Sequence, residues 1–99
     1  MNSYWIVSLC IPLDFRHVRE FSGKLVGDIQ QQTGISITDA DDAFGYRGLS
    51  WTFRSDEEAE YFRTKIYNYL EAQNIELDPD APDSSGILCS VDKYDKLKN

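Results

Sequence analysis

Carboxylates are the side chains of this chain most able to do chemistry, and they come in groups. Two groups of closely spaced aspartates stand out: Asp39, Asp41 and Asp42, and then Asp78, Asp80 and Asp83. Oxygen ligands at such spacing could hold a hard cation such as calcium, or they could face a basic partner. The residues between and beside the aspartates decide which of these is the better prediction.

Metal binding is not predicted. A calcium loop that began at Asp39 would need an acid or Asn at its third ligand position and a Gly directly after it, and Ala43 and Phe44 stand there. The chain has one histidine and no Cys-x-x-Cys pair, which argues against zinc. Exposed turn aspartates are the simpler interpretation, and we expect neither a metal nor a cofactor.

Catalysis is not predicted either. His17 is the one histidine, and neither a serine nor a cysteine has an evident place beside it as a nucleophile. Cys10 and Cys89 are the two cysteines, and without a secretion signal we expect free thiols. The chain is therefore expected not to be an enzyme.

The net charge of −7 is unevenly distributed. Twelve acidic and four basic residues lie between Asp39 and Asp83, whereas the rest of the chain has five acids and six bases. This balance argues against direct binding to nucleic acid and to an anionic membrane. No apolar run approaches the ~20 residues that span a bilayer, so we expect a cytoplasmic protein.

Periodicity predicts the elements that position these residues. We expect strands at 4–11, 35–38, 49–54 and 87–91, and helices from an N-cap at Asp14 to about Thr33 and from an N-cap at Ser55 to about Asn74. Ser55 and Glu58 form a capping box, and Gly34 is placed to end the first helix. Residues 39–48 read as a turn-rich connection, 78–86 as a loop and 92–99 as a charged tail.

Apolar spacing predicts which side of each element is buried. The inward positions are Val7, Leu9 and Ile11; Leu49, Trp51 and Phe53; Phe15, Val18, Phe21, Leu25 and Ile29; and Ala59, Phe62, Ile66, Leu70 and Gln73. The opposite side of the sheet is expected to carry Ser8, Cys10, Ser50, Thr52 and Arg54. Cys10 and Cys89 would then lie on opposite faces, which disfavours a disulfide.

The resulting β-α-β-β-α-β order resembles the ferredoxin-like fold over nearly the whole chain. The resemblance implies an α+β sandwich, with a four-stranded antiparallel sheet and two helices on one face. We expect a single domain, 1–99, with residues 93–99 prone to fraying. The first and third strands would be central. The fold hosts many unrelated functions, so it does not name one.

The same order of strands and helices occurs in the RNA recognition motif, and residues 47–54 resemble that family's third-strand motif. Arg47, Gly48 and Trp51 match it. Leu49, Thr52 and Arg54 depart from it. Exposing Trp51 for base stacking would turn the polar residues of this strand toward the helices. Direct nucleic-acid binding is therefore not predicted.

Interaction with another protein is the preferred hypothesis. Three connections, 12–14, 39–48 and 76–86, are expected at one end of the sheet, and they gather the predicted partner-binding residues: Asp39, Asp41, Asp42, Phe44, Tyr46, Asp78, Asp80 and Asp83. Aromatic residues ringed by charge suit an interface. Whether Phe44 instead folds back onto the core stays open.

On this hypothesis the chain is a small acidic inhibitor that blocks the basic, nucleic-acid-binding surface of a partner protein. We expect a monomer rather than a dimer. Phage-carried anti-CRISPR and DNA-mimic inhibitors and toxin-immunity proteins are similar in size and charge. No motif assigns the chain to any of them.

The alternative is a dimeric ferredoxin-like module that binds a small molecule, or a cofactor-free monooxygenase-like enzyme. Trp5, Trp51 and His17 would then line a pocket between helices and sheet. Such a dimer would form through the open sheet face or through an edge strand.

Overall fold

The computed structural model describes residues 3–75 and 86–95, and these residues form the predicted succession of strands and helices. The elements are β1 (Ser3–Pro12), α1 (Val18–Thr33), β2 (Asp39–Ala43), β3 (Tyr46–Phe53), α2 (Asp56–Ala72) and β4 (Leu88–Asp95). The strands pair antiparallel in the order β2-β3-β1-β4, and both helices pack on one face. This is the ferredoxin-like α+β arrangement, with β1 and β3 central as predicted.

Strict alternation along the central strands builds the core. The inward residues of β1 and β3 are each at most 5% exposed: Val7, Leu9, Ile11, Leu49, Trp51 and Phe53. The buried helix residues opposite them include Leu25 and Ile29 of α1 and Phe62 and Ile66 of α2. The Phe62 ring packs 5.0 Å from both the Trp51 and the Phe53 rings. Removing this apolar surface from water is the main force that holds the helices on the sheet.

The start of α1 differs from the prediction. The helix begins at Val18, after His17 in a left-handed conformation with φ 54°, so Asp14 is not its N-cap. The Phe15 N–H donates to the Pro12 carbonyl, so Asp14 lies inside a turn that precedes the helix. The end of α1 is as predicted, because Gly34 has φ 76° and donates its N–H to Gln30.

The second strand also differs from the prediction. β2 is Asp39–Ala43, within the expected turn-rich connection, whereas residues 35–38 lie outside the regular strands. Ile35 and Ile37 pack against the core instead. The backbone pairing of β2 with β3 outweighs the low strand preference of aspartate, since that preference depends strongly on context.

The second helix follows the prediction at its start and differs at its end. The Ser55 hydroxyl accepts a hydrogen bond from the Glu58 N–H at 3.2 Å, as a capping residue should. Gln73 follows the helix and is exposed, so its predicted inward position is wrong. Tyr69 is buried instead, and its hydroxyl donates to Asp28 Oδ2 at 2.8 Å.

The last strand continues past the predicted Val91 to Asp95, so residues 92–95 of the predicted charged tail pair with β1. The Tyr94 ring stacks on Tyr4 across the strands, and Ser3 Oγ donates to Asp95 at 2.6 Å. Such cross-strand pairs stabilise a terminal strand.

Neither α1 nor α2 has the length and apolar character that a membrane-spanning helix needs.

Candidate functional site

The β2–β3 hairpin closes through a two-residue turn, Phe44 and Gly45. Their φ angles are 55° and 82°, both left-handed, and Ala43 pairs with Tyr46 on either side. Two positive φ angles are what a type I′ hairpin turn requires, and Asn-Gly is its preferred sequence. Gly45 fits this conformation, whereas a bulky residue such as Phe44 seldom adopts it.

Phe44 does not fold back onto the core. Its side chain is 99% exposed at the tip of the hairpin. The ring therefore buries no surface that would stabilise the fold, although its backbone is held in a conformation that disfavours it. Phe44 is the most exposed of the large hydrophobic residues that the structure describes.

The hairpin tip is anchored to the end of β1. The Leu13 N–H donates to the Gly45 carbonyl at 2.9 Å. Gly86, at the end of the third predicted connection, lies so close that a Cβ built on it would be 3.0 Å from Pro12 Cγ. Leu13, Gly45 and Gly86 therefore lie close together at this end of the sheet.

The register divides the β2 aspartates between the two faces of the sheet. Asp41 pairs with Gly48, whereas Asp42 pairs with Arg47, which in turn pairs with the buried Ile11. Asp39 pairs with Ser50 and shares the face of Asp41. Asp39 and Asp41 therefore lie along an edge strand on the face away from the helices, and not in a loop at the end of the sheet.

Asp42 has its charge compensated within the chain. Its Oδ1 accepts a hydrogen bond from Arg47 at 3.0 Å, and its Oδ2 lies 3.4 Å from Arg19 Nη2 on α1. Of the ion pairs among residues 3–75 and 86–95, none involves Asp39 or Asp41. Asp42 thus ties the hairpin to α1, whereas the other two carboxylates are free to meet a partner.

Tyr46 begins β3 opposite Pro12 and is half-buried on the same face as Asp41. We call Asp39, Asp41, Phe44 and Tyr46 the hairpin site. Asp78, Asp80 and Asp83, which were predicted to share this end of the sheet, lie outside the described residues.

The partners of Asp42 were not predicted from the sequence. Arg19 is distant in the chain, and Arg47 pairs with Asp42 only because a two-residue turn separates β2 from β3. The sequence signal for that turn is the dipeptide Phe44-Gly45. Phe-Gly is a weak hairpin signal compared with Asn-Gly, so the sequence does not predict the turn.

No three His, Cys, Asp or Glu side chains in the described ranges come together in a way that could hold a metal ion. At the hairpin, the register keeps the carboxylates apart because it puts Asp42 and its neighbour Asp41 on opposite faces of the sheet.

The thiols lie on opposite faces of the sheet, as predicted, and both are free. Burial raises the pKa of the Cys10 thiol, and burial raises the pKa of Cys89 to about 12. Both are therefore protonated and weakly nucleophilic at neutral pH. His17 is exposed at the start of α1. The described residues thus show no nucleophile beside a base.

Base stacking through Trp51 is excluded by its burial. The Trp51 side chain is fully buried on the helix side, against Phe62. The ring arrangement that the RNA recognition motif uses is therefore not present at this position.

Comparisons with known proteins establish the fold. No family model matches the chain, and no curated protein matches it significantly. Among solved structures, it is similar to Rv0793 from Mycobacterium tuberculosis, with a TM-score of 0.57 and 16% identity, over 98% of this chain and 97% of that one.

The chain is also similar to LFR1 1, a de novo designed protein with a ferredoxin fold, with a TM-score of 0.50 and 15% identity, over 99% of this chain and 88% of the other. At such identities the likeness concerns the fold alone. Function must be argued from the site.

Proposed function

We propose that this chain is a small, non-enzymatic binding protein that attaches through the hairpin site to a basic surface of another protein and blocks it. The observation that carries the proposal is Phe44, 99% exposed at φ 55°. Asn or Gly would suit this turn better, and the left-handed conformation costs other residues about 1 kcal/mol. Strain at an exposed aromatic residue is a reason to infer a contact site.

The chemistry of the hairpin site suits a basic partner. Phe44 and Tyr46 supply rigid apolar area, which is typical of the energetic centre of an interface. Asp41 and Asp39 follow along β2 on the same face as Tyr46, and no ion pair of the described residues involves either carboxylate. Carboxylates in this position would steer Lys- or Arg-rich surfaces toward the site and reject acidic ones.

Basic protein surfaces commonly bind nucleic acid. A protein that covers such a surface competes with the nucleic acid. On this proposal the chain is a cytoplasmic inhibitor that acts as a monomer, either a phage anti-defence protein of the anti-CRISPR or DNA-mimic kind or a toxin-immunity protein. The net charge of −7 in a chain of 99 residues supports this proposal.

The test is affinity capture with the tagged chain from an extract of its source cells treated with nuclease. We expect a partner that is retained at about 50 mM salt and released at about 500 mM, because exposed charges are screened. Phe44→Asn and the double variant Asp39→Asn, Asp41→Asn should each weaken binding at least about tenfold. The captured partner should lose affinity for nucleic acid when the chain is added.

The matched control is Glu57→Gln with Glu71→Gln, which removes the same charge from exposed positions on α2. Equal weakening by this control would mean that net charge alone drives the association. That result, or the lack of any salt-sensitive partner, would refute the proposal.

A second candidate, a small-molecule module, is favoured by Trp51. Its indole Nε1 is buried and has no hydrogen-bond partner in the described part of the chain. An unpaired buried donor costs about 1–3 kcal/mol, and a ligand that carries an acceptor would recover part of it. A thermal-shift screen tests this candidate: a ligand that raises the melting temperature of wild type and not of Trp51→Phe would support it.

A further inference from the structure

The two edges of the sheet are protected to different degrees. β2, at one edge, has aspartates at three of its five positions, and charged side chains are a common way to keep an edge strand from pairing. β4, at the other edge, pairs with β1 in one unbroken register and contains no proline. Within residues 3–75 and 86–95, no strand pairs with the outer side of β4. Its backbone therefore offers unpaired N–H and C=O groups to another strand.

Side chains near the end of β4 lean toward β1 and leave this edge accessible. The Lys93 ammonium lies 5.8 Å from the ring of Trp5, and the Tyr94 ring stacks on Tyr4 with centroids 5.5 Å apart. Both contacts are made with β1, the inner neighbour of β4. A lysine on an edge strand usually opposes pairing, but this one is turned away from the edge.

On the face of the sheet away from the helices, called here the open face, β4 has an exposed apolar residue near each end. Leu88 is 58% exposed, and Tyr94 is 44% exposed. Ser90 and Asp92 lie between them on the same face, and the Ser90 hydroxyl donates to Asp92 at 3.3 Å. Val91, at the centre of this segment, packs against the core on the helix side. The open-face pattern is therefore symmetric about Val91: apolar, polar, polar, apolar.

We propose that the chain associates reversibly with a second copy of itself through β4, with the two strands antiparallel about a two-fold axis at Val91. Leu88 of each copy then packs against Tyr94 of the other, and Ser90 lies opposite Asp92. Directly opposite side chains of an antiparallel pair have Cβ atoms about 4.5–5.5 Å apart, which is contact distance. The two four-stranded sheets become one continuous sheet, with the helices of both copies on the same side.

Charge selects this register. A two-fold axis keeps open-face residues opposite open-face residues, so it passes through one residue of β4. The two axes that pair most of β4 are those at Val91, which pairs residues 88–94, and at Asp92, which pairs residues 89–95. The axis at Asp92 sets two like charges directly opposite each other, which is destabilising, and leaves Leu88 without an opposite residue. The axis at Val91 sets no like charges opposite each other.

Other occupants suit this edge less well. Pairing of β4 with β2 of a further copy would bring Asp92 and Asp95 against the β2 aspartates, and a head-to-tail contact of this kind does not close after two copies. A strand of a different protein would have to supply an apolar residue opposite both Leu88 and Tyr94 and no acid opposite Asp92. A second copy of β4 meets both requirements.

The inference goes beyond the proposed function and does not rest on it. The hairpin site lies on β2 and β3 at the opposite edge, so it stays accessible in both copies. One strand pair buries less than the roughly 1,200 Å² of a standard interface, so the association is weak. The monomer of the proposed function is then the form present at low concentration, and the dimer forms as the concentration rises.

Sedimentation equilibrium of the full chain at about 5 to 500 µM tests the association. We expect the mean mass to rise from that of a monomer toward that of a dimer. The variant Val91→Cys tests the register, because the introduced thiols of the two copies lie opposite each other and mild oxidation should link them. The controls Ser90→Cys and Asp92→Cys place the introduced thiols about 7–8 Å apart, so they should link at least fivefold more slowly. Peptide mapping by mass spectrometry identifies the linked residues.

Charge variants test the contact between Leu88 and Tyr94. The double variant Leu88→Lys, Tyr94→Lys sets like charges opposite each other and should weaken the dimer at least about tenfold. General repulsion between copies cannot explain this loss, because the variant lowers the net charge of −7. The matched double variant Leu88→Lys, Tyr94→Glu loses the same apolar contacts but sets opposite charges together, so it should dimerise at least fivefold more tightly than the lysine variant.

Within one chain the two substituted positions are about 20 Å apart, so an internal ion pair cannot explain such a rescue. Tyr61→Lys is the control for an exposed tyrosine elsewhere, since Tyr61 is 61% exposed on α2, and it should leave the association unchanged. Dispersed amide spectra establish that each variant folds.

Three results would overturn the inference: a monomer at 500 µM, equal dimerisation of the two charge variants, or faster linkage through Asp92→Cys or Ser90→Cys than through Val91→Cys. A dimer weakened by Phe44→Asn and not by the lysine variant would also overturn it, because the contact would then belong to the hairpin site. Capture of a basic partner is a separate measurement, so the proposed function can fail while the β4 dimer stands, and the reverse.

Discussion

The two faces of the sheet are made by the same strands and have opposite characters. Along β1, Val7 and Leu9 are fully buried under the helices, whereas Ser8 and Cys10 are partly exposed on the open face. Successive side chains of a strand point to opposite sides, so neighbours in sequence can have unrelated tasks. The difference teaches that residues that build the core and residues that remain accessible alternate along one strand.

The β2 aspartates show the same division. Asp42 joins Arg47 and Arg19 on the helix side, and its neighbour Asp41 stands unpaired on the open face in the described structure. Adjacent residues of one type therefore differ in role because of the face they occupy.

The largest expected effect is at Leu9. Leu9→Ala should lower the free energy of unfolding by about 2–5 kcal/mol, because it leaves a cavity under the helices. Ser8→Ala, one residue away, should change it by no more than about 0.5 kcal/mol. Urea unfolding followed by circular dichroism measures both. Similar losses for the two variants would remove the distinction between the faces.

Thiol reactivity compares the faces directly. Burial raises the pKa of Cys89 to about 12, and Cys10 lies on the open face. At pH 8 we expect Cys10 to react with iodoacetamide at least about tenfold faster than Cys89, since the thiolate is the reactive form. Mass spectrometry of timed samples gives the two rates. Faster labelling of Cys89 would contradict the assignment of that residue to the helix side.

Alkaline pH should lower the free energy of unfolding by deprotonating the Tyr69 hydroxyl on the helix side of the sheet. Burial and the hydrogen bond to Asp28 raise the pKa of Tyr69 from 10 to about 12. Because the folded state holds this proton more tightly than the unfolded state, the stabilisation is complete below pH 10 and is lost as pH rises to 12.

We expect wild type to lose up to about 1–2 kcal/mol more than Tyr69→Phe over this interval, by denaturant unfolding at fixed pH values. Parallel pH profiles of the two proteins would show that Tyr69 does not account for the loss.

A smaller effect distinguishes the adjacent aspartates. Asp42→Asn should cost about 0.5–1 kcal/mol of stability, because it weakens two partly exposed ion pairs. Asp41→Asn should leave the free energy of unfolding within about 0.5 kcal/mol of wild type. Thermal unfolding at low and at high salt is the measurement, and the cost at Asp42 should shrink as salt rises. An equal cost for both variants would place the two carboxylates in similar surroundings.

The smallest effect is a gain. Phe44→Asn should stabilise the chain by about 0.5 kcal/mol, because Asn adopts the left-handed conformation with less strain and no buried contact is lost. Denaturant unfolding measures the gain. A loss of stability would show that the Phe44 ring supports the fold, and its exposure would then be no reason to infer a contact site.

Much of the fold was predictable from the sequence. Alternation located every buried position of β1 and β3, and the serine at 55 and the glycine at 34 marked helix ends correctly. The helix N-cap predicted at Asp14 was wrong, because the same residue type that caps helices also occupies turns. The strand predicted at 35–38 was wrong as well, because apolar β-branched residues such as Ile35 and Ile37 pack in a core whether or not their backbone is paired in a sheet.

The candidate site was predictable only in part. Of the residues predicted to share the hairpin end, Phe44 does lie there, next to Gly45 and Leu13, whereas Asp39 and Asp41 lie along β2. The sequence could not indicate that Phe44 points outward, because exposure at a turn depends on a backbone conformation that Phe-Gly signals weakly. The open face was expected to be polar. The tyrosine pair was not foreseen, because Tyr94 joins the sheet only through the extension of β4.

By itself, the sequence determined the order of elements, the buried face of each central strand and the surplus of acids. The tertiary structure alone decided what those acids do. Aspartates carry no hydrophobic period that would orient them, so the face of each one follows from the register of β2 on β3, and a slip of one residue would exchange Asp41 with Asp42. That register sends one carboxylate to two arginines and leaves its neighbour facing outward.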